Sequence, residues 1–446
     1  MDKVIDLISE LPSDALLNVV QLLTLDTLSR VDRDMILFQL GINIGRNINR
    51  SSFRGLINLI QLCDYYPNLC KGIARGIYES EAIDKDLILN LGKSSPIMAR
   101  ELLANLDLYK FPEVMKSLAN NVSQLKYLPN VGSNIAKQID KLPFEYRNQI
   151  INTLKDNGMF LYEFLQTVNL SKIDNIDQFI GKNKDIDEII GYRLSELNDK
   201  LKERLLNFPT IAKGVGKGFQ NLSYYWKRKV IEKVREDKEF AKGFLSSVDL
   251  ISLEDEFVEE IIKVATQDEE LSKILGKNFG ESFPSLNEFL KNVSFKIAEN
   301  NPNFAYGFGE GISYSISSFI NFIRGKSYEL KREEQERILE LADRVDSFAK
   351  GLLMNINSLF FFENKEKVMT LVLKYDEFLL QFVEQMGRRI SEFNLSRLVI
   401  SLRGKVAFEL GRVLCRNYAS LPRENRKIIL SLLDKNNELK EGFIEC

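Results

Sequence analysis

Hydrophobic positions recur along this chain in one template. In the stretch Asp237 to Ile251, DKEFAKGFLSSVDLI, the residues Phe240, Gly243, Phe244, Val248 and Ile251 fall at i, i+3, i+4, i+8 and i+11. That spacing is one face of a helix. Asp237 stands just ahead of it, where the first unpaired N–H groups of a helix need an acceptor. Imperfect copies return about every 31 residues.

With Gly243 as anchor, equivalent positions fall at Gly41, Gly72, Glu101, Gln138, Glu163, Gly191, Gly214, Ile274, Gly307, Gly351, Gln381, Gly411 and Gly442. The register is weakest between 101 and 191. Pro67, Pro96, Pro209 and Pro302 each precede an anchor by five residues, which suits the first turn of a helix. Ahead of each anchor helix runs a second amphipathic segment, such as YRNQIINTLKDN, KRKVIEKVRED, QERILELADRVD or NRKIILSLLDKN. Two helices of roughly 11 residues with short turns fill such a unit. A single hairpin cannot bury the apolar faces of both helices, so neighbours must stack. The expectation is an all-α chain built as an α-solenoid of about fourteen stacked hairpins, roughly 31 residues each.

The pattern resembles HEAT repeats in their short form. The carriers are Asp237 in the turn, then Phe240, Ala241 and Gly243. The family's Val-Arg at the start of the second helix reads Phe-Ala or Leu-Cys here. The resemblance implies an architecture and a surface for binding macromolecules, not an activity. Residues 1–30 lack the glycine anchor and are expected to form an N-terminal helical cap. Residues 31–446 are expected to be one continuous array with an irregular insertion near 313–328. Unit 41–72 and unit 411–442 both open on Phe, Leu-Gly, Arg-Asn, which argues for duplication of a module.

Composition narrows the chemistry. The 446 residues include no histidine, which removes Ser-His-Asp and Cys-His catalysis and His-containing zinc sites. No Gly-rich phosphate loop follows a strand, so neither a cofactor nor a metal is expected. The four cysteines, Cys63, Cys70, Cys415 and Cys446, form no CxxC pair and read as small core residues, with Cys63 and Cys70 as the one pair near enough to meet. Asp2, Asp6 and Glu10 oppose a secretory leader, and the most apolar segment, 304–323, is too polar to span a membrane. A cytoplasmic protein is expected.

Glycines spaced by four, at Gly41/Gly45, Gly72/Gly76, Gly214/Gly218, Gly276/Gly280 and Gly307/Gly311, cost about 1 kcal/mol each in a helix and need a reason. Close packing of helix backbones is the first; a glycine-floored groove is the second. The largest gap between anchors, from 307 to 351, contains Tyr314, Phe319, Phe322, Arg324 and Tyr328, and SLFFFENK adds Phe360, Phe361 and Phe362. Aromatics anchor interfaces, so these are candidates for a protein contact.

The net charge of −2 hides an asymmetry: residues 234–300 are acidic and residues 386–427 basic. The basic third offers Arg388, Arg389, Arg397, Arg403, Arg412, Arg416, Arg423 and Arg426 to nucleic acid. The stretch SYYWKRKV places Tyr224, Tyr225 and Trp226 beside three cations, either as stacking platforms or as core aromatics with a solvated cationic face. Three functions compete. The leading one is a non-enzymatic scaffold or adaptor with a protein partner, and the alternative is nucleic-acid binding. An enzyme would have to work through carboxylates such as Glu310, Asp343 or Glu363.

Overall fold

The computed structural model describes residues 30–48, 53–80, 84–173, 175–317 and 330–446, with assignments also at positions 15 and 19. The expected cap at 1–30 lies almost wholly outside the described residues. So does most of the expected insertion, including Phe319, Phe322, Arg324 and Tyr328. Among the described residues every regular element is an α- or 3-10 helix, so the chain is all-α and compatible with an α-solenoid. Its contacts divide it into two units, Met1–Leu205 and Leu206–Cys446.

The first unit contains α1 (Arg30–Arg46), α2 (Phe53–Gln61), α3 (Pro67–Glu79), α4 (Lys85–Ser94), α5 (Pro96–Asn105), α6 (Pro112–Val122), α7 (Val131–Gln138), α8 (Phe144–Leu154), α9 (Gly158–Thr167), α10 (Lys184–Tyr192) and α11 (Asp199–Leu205). Alternate helices pack together: α1 on α3, α3 on α5, α5 on α7 and α7 on α9, with α2 on α4, α4 on α6 and α6 on α8 as a second set.

The second unit contains α12 (Ala212–Gly218), α13 (Tyr224–Glu236), α14 (Lys238–Leu245), α15 (Asp255–Ala265), α16 (Glu269–Ser282), α17 (Glu288–Asn300), α18 (Pro302–Ser317), α19 (Arg332–Arg344), α20 (Asp346–Leu353), α21 (Lys365–Leu373), α22 (Asp376–Met386), α23 (Leu395–Ser401), α24 (Gly404–Asn417), α25 (Arg423–Leu433) and α26 (Asn437–Ile444). Here α12, α14, α16, α18 and α20 pack in succession, as do α22, α24 and α26.

Local chemistry starts these helices as the sequence requires. Pro67, Pro96 and Pro302 open α3, α5 and α18, and Pro209 opens a 3-10 turn before α12. The Asp237 carboxylate accepts from the Phe240 N–H at 3.1 Å, and Asn157 and Asn301 do the same for Phe160 and Phe304. Each satisfies one orphan donor of a first turn. Most of the apolar face of the template is then buried: Phe240, Phe244 and Val248 are within the core, but the helix ends at Leu245, and Ile251, expected on the same face, lies in the 3-10 turn Leu250–Ser252 and is half exposed.

The glycines set helix spacing. A Cβ at Gly41 would lie 2.3 Å from the Leu69 carbonyl oxygen and 2.9 Å from the Gly72 Cα, and Gly45 meets Ile73 and Gly76 in the same order. Helices α1 and α3 therefore run parallel with backbones touching, which only glycine allows. The same contacts correct the register. Gly132, not Gln138, faces the segment around Glu163, and Ala212 rather than Gly214 faces Gly243. Gln138 has a different task, since its side-chain amide accepts from the Leu108 N–H at 2.6 Å and donates to the Leu106 carbonyl at 3.0 Å.

Other amides tie neighbouring helices at their C-terminal ends. The Asn134 side chain donates to Leu103 and Leu106 carbonyls at 2.7 and 3.0 Å, and Asn278 donates to Leu245 and Val248 at 2.9 and 3.0 Å. The Leu103 and Leu245 carbonyls lie in the last turns of α5 and α14, where no intrahelical donor follows, and Leu106 and Val248 lie just beyond those ends.

The cysteines depart from the expectation of unpaired core thiols. Cys63 joins Cys70 across Cα atoms 5.5 Å apart, and Cys415 joins Cys446 across 6.2 Å. Proximity of Cys63 and Cys70 follows from the turn between α2 and α3. Cys415 and Cys446 each lie four residues beyond Gly411 and Gly442, whose helices are in backbone contact, so this pair occupies the place that Gly45 and Gly76 take in α1 and α3.

Candidate functional site

The aromatic candidates separate by burial. Phe360 and Phe362 are in the core, and the Phe360 ring stacks on Phe382 at 5.3 Å and meets Phe393 edge-on at 5.8 Å. They are structural. Phe361 is 55% exposed, and the Arg389 guanidinium lies over its ring at 4.9 Å. Arg389 is held there because its Nη1 donates to the Phe360 carbonyl at 2.6 Å. The 3-10 turn Ile356–Phe361 packs against α18, the helix that carries Tyr314. Tyr314 is 45% exposed, with Lys277 over its ring at 4.9 Å.

Tyr314 ends a polar seam between α16 and α18. Lys273, Lys277 and Glu281 recur at i, i+4 and i+8 on α16, as do Tyr306, Glu310 and Tyr314 on α18, so each triplet makes one stripe. Between the stripes, Gly276 and Gly280 meet Phe304, Phe308 and Gly311, which draws the two helices together. The Glu310 carboxylate is largely buried and accepts from Lys277 at 2.7 Å, with Lys273 at 3.9 Å. Lys273 also lies 4.4 Å over the Tyr306 ring.

Packing around the Glu281 carboxyl pushes its pKa up, and the charge of Glu310 adds to that while Lys277 opposes it. Partial burial works against the charged form of Lys277, yet Glu310 raises its pKa on balance. The glycines were the legible signal for this seam. The flanking stripes were not singled out as a pair from sequence, because their side-by-side relation exists only once the helices are aligned.

The arginines do not form one surface cluster. Arg397 pairs with Glu366 at 3.2 Å and donates to the Thr370 hydroxyl at 2.9 Å. Arg403 donates to Ile400 and Leu402 carbonyls, and Arg412 pairs with Glu409 on its own helix at 3.2 Å. Arg416 and Arg423 are exposed, and Arg426 is half-buried with its Nε unpaired. The Arg388 side chain lies outside the described residues.

In SYYWKRKV, Trp226 and Lys227 are buried while Tyr224 and Tyr225 are exposed. Lys227 pairs with Glu254 at 2.8 Å, and Arg228 pairs with Glu256 and Glu260. Two of its three cations therefore face the acidic helix α15 and its preceding turn, while Lys229 is exposed and pairs with Glu232 on its own helix at 3.0 Å. The cationic face expected to be solvated is thus in larger part a helix–helix contact.

The carboxylates considered for catalysis lie on different elements. Glu310 is neutralised in the seam, the main-chain carbonyl of Asp343 accepts from Lys374 at 3.0 Å, and Glu363 is exposed with Arg332 at 3.9 Å. No helix among the described residues is long and apolar enough to cross a membrane. No family model matches this chain, and no curated protein matches it either.

Proposed function

We propose that the protein is a non-enzymatic scaffold or adaptor of about fourteen HEAT-like helical hairpins, binding a protein partner around Phe361, Arg389 and Tyr314. The observation that supports this reading is the exposed Phe361 ring held under the Arg389 guanidinium, on a turn packed against the Tyr314 helix. An exposed aromatic carries a large desolvation gain, and a cation fixed over it limits the entropy lost when a partner docks. The Arg389 hydrogen bond to a main-chain carbonyl leaves its charge near the surface but its position set. Paired and back-bonded arginines elsewhere in the basic third offer fewer groups to phosphates than the sequence suggests.

Two disulfides suit an oxidising compartment or an intracellular protein of a hyperthermophile, and the second keeps the expected cytoplasmic placement. The test replaces Phe361 with the photo-cross-linker p-benzoylphenylalanine in the full chain. One protein adduct that Tyr314→Ala and Arg389→Gln both diminish is expected. A set of adducts indifferent to both substitutions would sink the site. Salt-sensitive binding of labelled DNA or RNA that Arg416→Gln and Arg423→Gln abolish would replace the reading with nucleic-acid recognition.

A further inference from the structure

Helix pairs in backbone contact are closed in two ways, one turn beyond the first contact. In α1 and α3 the second contact is Gly45 against Gly76, where a Cβ on Gly45 would lie 2.9 Å from the Gly76 Cα, and in α16 and α18 it is Gly280 against Gly311. In α24 and α26 the backbones touch at Gly411 and Gly442, with the Phe443 nitrogen 2.7 Å from where a Cβ on Gly411 would be. Four residues on stand Cys415 and Cys446, and they are bonded. Two glycines in contact have one state, whereas a disulfide has an oxidised and a reduced one.

The two disulfides differ in access and in what they hold. Cys63 and Cys70 are fully buried and only seven residues apart, so their bond is shielded and closes a short loop. Cys446 is exposed and Cys415 half-buried, and their bond spans 31 residues. Thiol–disulfide exchange requires an incoming thiolate to reach a sulfur atom, so access decides which bond opens first. A longer closed loop also gives up more chain entropy while it is bonded.

Helix α26 has little else to hold it. Of its eight residues only Leu439 and Gly442 are buried. The side chain of its cap, Asn436, donates to the Leu402 carbonyl at 3.2 Å, and the Phe443 ring meets Tyr418 edge-on at 5.5 Å. Helix α14 also has eight residues, but it buries Phe240, Ala241, Phe244 and Leu245 and packs on both α12 and α16. A two-turn helix is unstable alone, and one large buried side chain is a small return for ordering it. The bond to Cys415 is therefore a main restraint on α26.

We propose that Cys415–Cys446 is a redox-sensitive clasp: a dithiol reductant opens this bond while Cys63–Cys70 stays closed, and α26 then leaves α24, uncovering the face that carries Phe408, Gly411 and Tyr418. One thiolate of the reductant attacks the Cys446 Sγ. The bond to Cys415 breaks, and its electron pair leaves on the Cys415 Sγ, which takes up a proton. The second thiol attacks the mixed disulfide so formed, Cys446 leaves as a thiol, and the reductant ends as its own disulfide, having given up two electrons. The clasp goes beyond the Phe361 surface and does not depend on it.

Dithiothreitol titrated onto the folded full chain tests this. Free thiols are trapped with iodoacetamide and located by mass spectrometry, and hydrogen exchange is followed in parallel samples. Cys415 and Cys446 are expected to become labelled at dithiothreitol concentrations about tenfold or more below those that label Cys63 and Cys70. Over the same range, amides of α26 should exchange about tenfold or more faster while those of α24 keep their rates. Oxidised glutathione should restore the slow exchange. Cys415→Ser/Cys446→Ser should exchange like the reduced protein without dithiothreitol; the titration itself uses the unaltered chain, so a folding failure of that variant leaves the test intact. Labelling of all four cysteines together, or of none while the protein stays folded, overturns the proposal. So does labelling of Cys415 and Cys446 with α26 exchange unchanged, which makes the bond a staple only, or faster exchange throughout the second unit, which makes the event unfolding.

Discussion

Gly280 faces Gly311 so closely that a Cβ on Gly280 would sit 2.8 Å from the Gly311 Cα and 2.3 Å from the Phe308 carbonyl oxygen. Neither neighbour is a flexible side chain, and both belong to the backbone of α18. The α16–α18 seam, with its stripe of Lys277, Glu310 and Tyr314, keeps its geometry through this contact.

Gly280→Ala is therefore expected to destabilise the protein. Alanine gains about 1 kcal/mol in helix propensity, but overpacking against a backbone costs on the order of 1–3 kcal/mol or more, and the seam has to open. Gly158→Ala is the control, because a Cβ there meets nothing within 4 Å. Chemical denaturation should give a lower midpoint for Gly280→Ala and an equal or higher one for Gly158→Ala. Equal midpoints for Gly280→Ala and the unaltered protein would contradict the close approach.

Thiol counting checks the cysteine pairing. The unreduced, denatured protein should show no alkylatable thiol, and reduction should expose all four. Cys415→Ser with Cys446→Ser removes a cross-link between residues 31 apart in sequence. In the chain-entropy account that loss is about 3–4 kcal/mol. Hydrogen exchange in α26 should accelerate most, since Leu439 and Gly442 are its only buried residues. Four reactive thiols before reduction would refute the pairing.

Asp237 carries a pH-dependent share of stability. Its main-chain hydrogen bond from Phe240 holds the carboxyl below its ordinary 3.8, and Lys233 helps while partial burial opposes. A depressed folded pKa contributes stability that is present above the unfolded value and is lost as pH falls through the folded one. Asp237→Ala should cost about 1 kcal/mol at neutral pH, as loss of a cap does, and the difference should shrink below about pH 4. Asp237→Asn keeps the acceptor and should recover most of the loss. A difference independent of pH for Asp237→Ala, measured by denaturation from pH 7 to pH 3, would show that the charge has no part in it.

Some of this organisation was legible along the chain. Helical periodicity, Asp237 as a cap and prolines such as Pro67 and Pro302 at first turns are local, because capping and φ restriction act within a few residues. The glycine pairs also pointed to close backbone packing, since glycine in a helix needs a compensating contact. Their register did not follow. Gln138 took the place of Gly132 because spacing alone does not show which residue meets the next helix.

Burial divided Phe360 and Phe362 from Phe361, although the three are consecutive. In a 3-10 turn neighbouring side chains leave in different directions, so Phe360 turns in against Phe382 and Phe393 while Phe361 stays out beneath Arg389. The arginines of 386–427 read as one basic field because sequence records charge without partners; Glu366, Glu409 and the carbonyls of Phe360 and Leu402 are supplied by folding.

The sequence by itself determined that the chain is helical, where many helices begin and that histidine chemistry is absent, because propensity, capping and composition are local quantities. Only the packing of whole helices set the Cys415–Cys446 disulfide and the α16–α18 seam. Each depends on residues some 30 positions apart meeting side by side, a relation set by how closely whole helices approach.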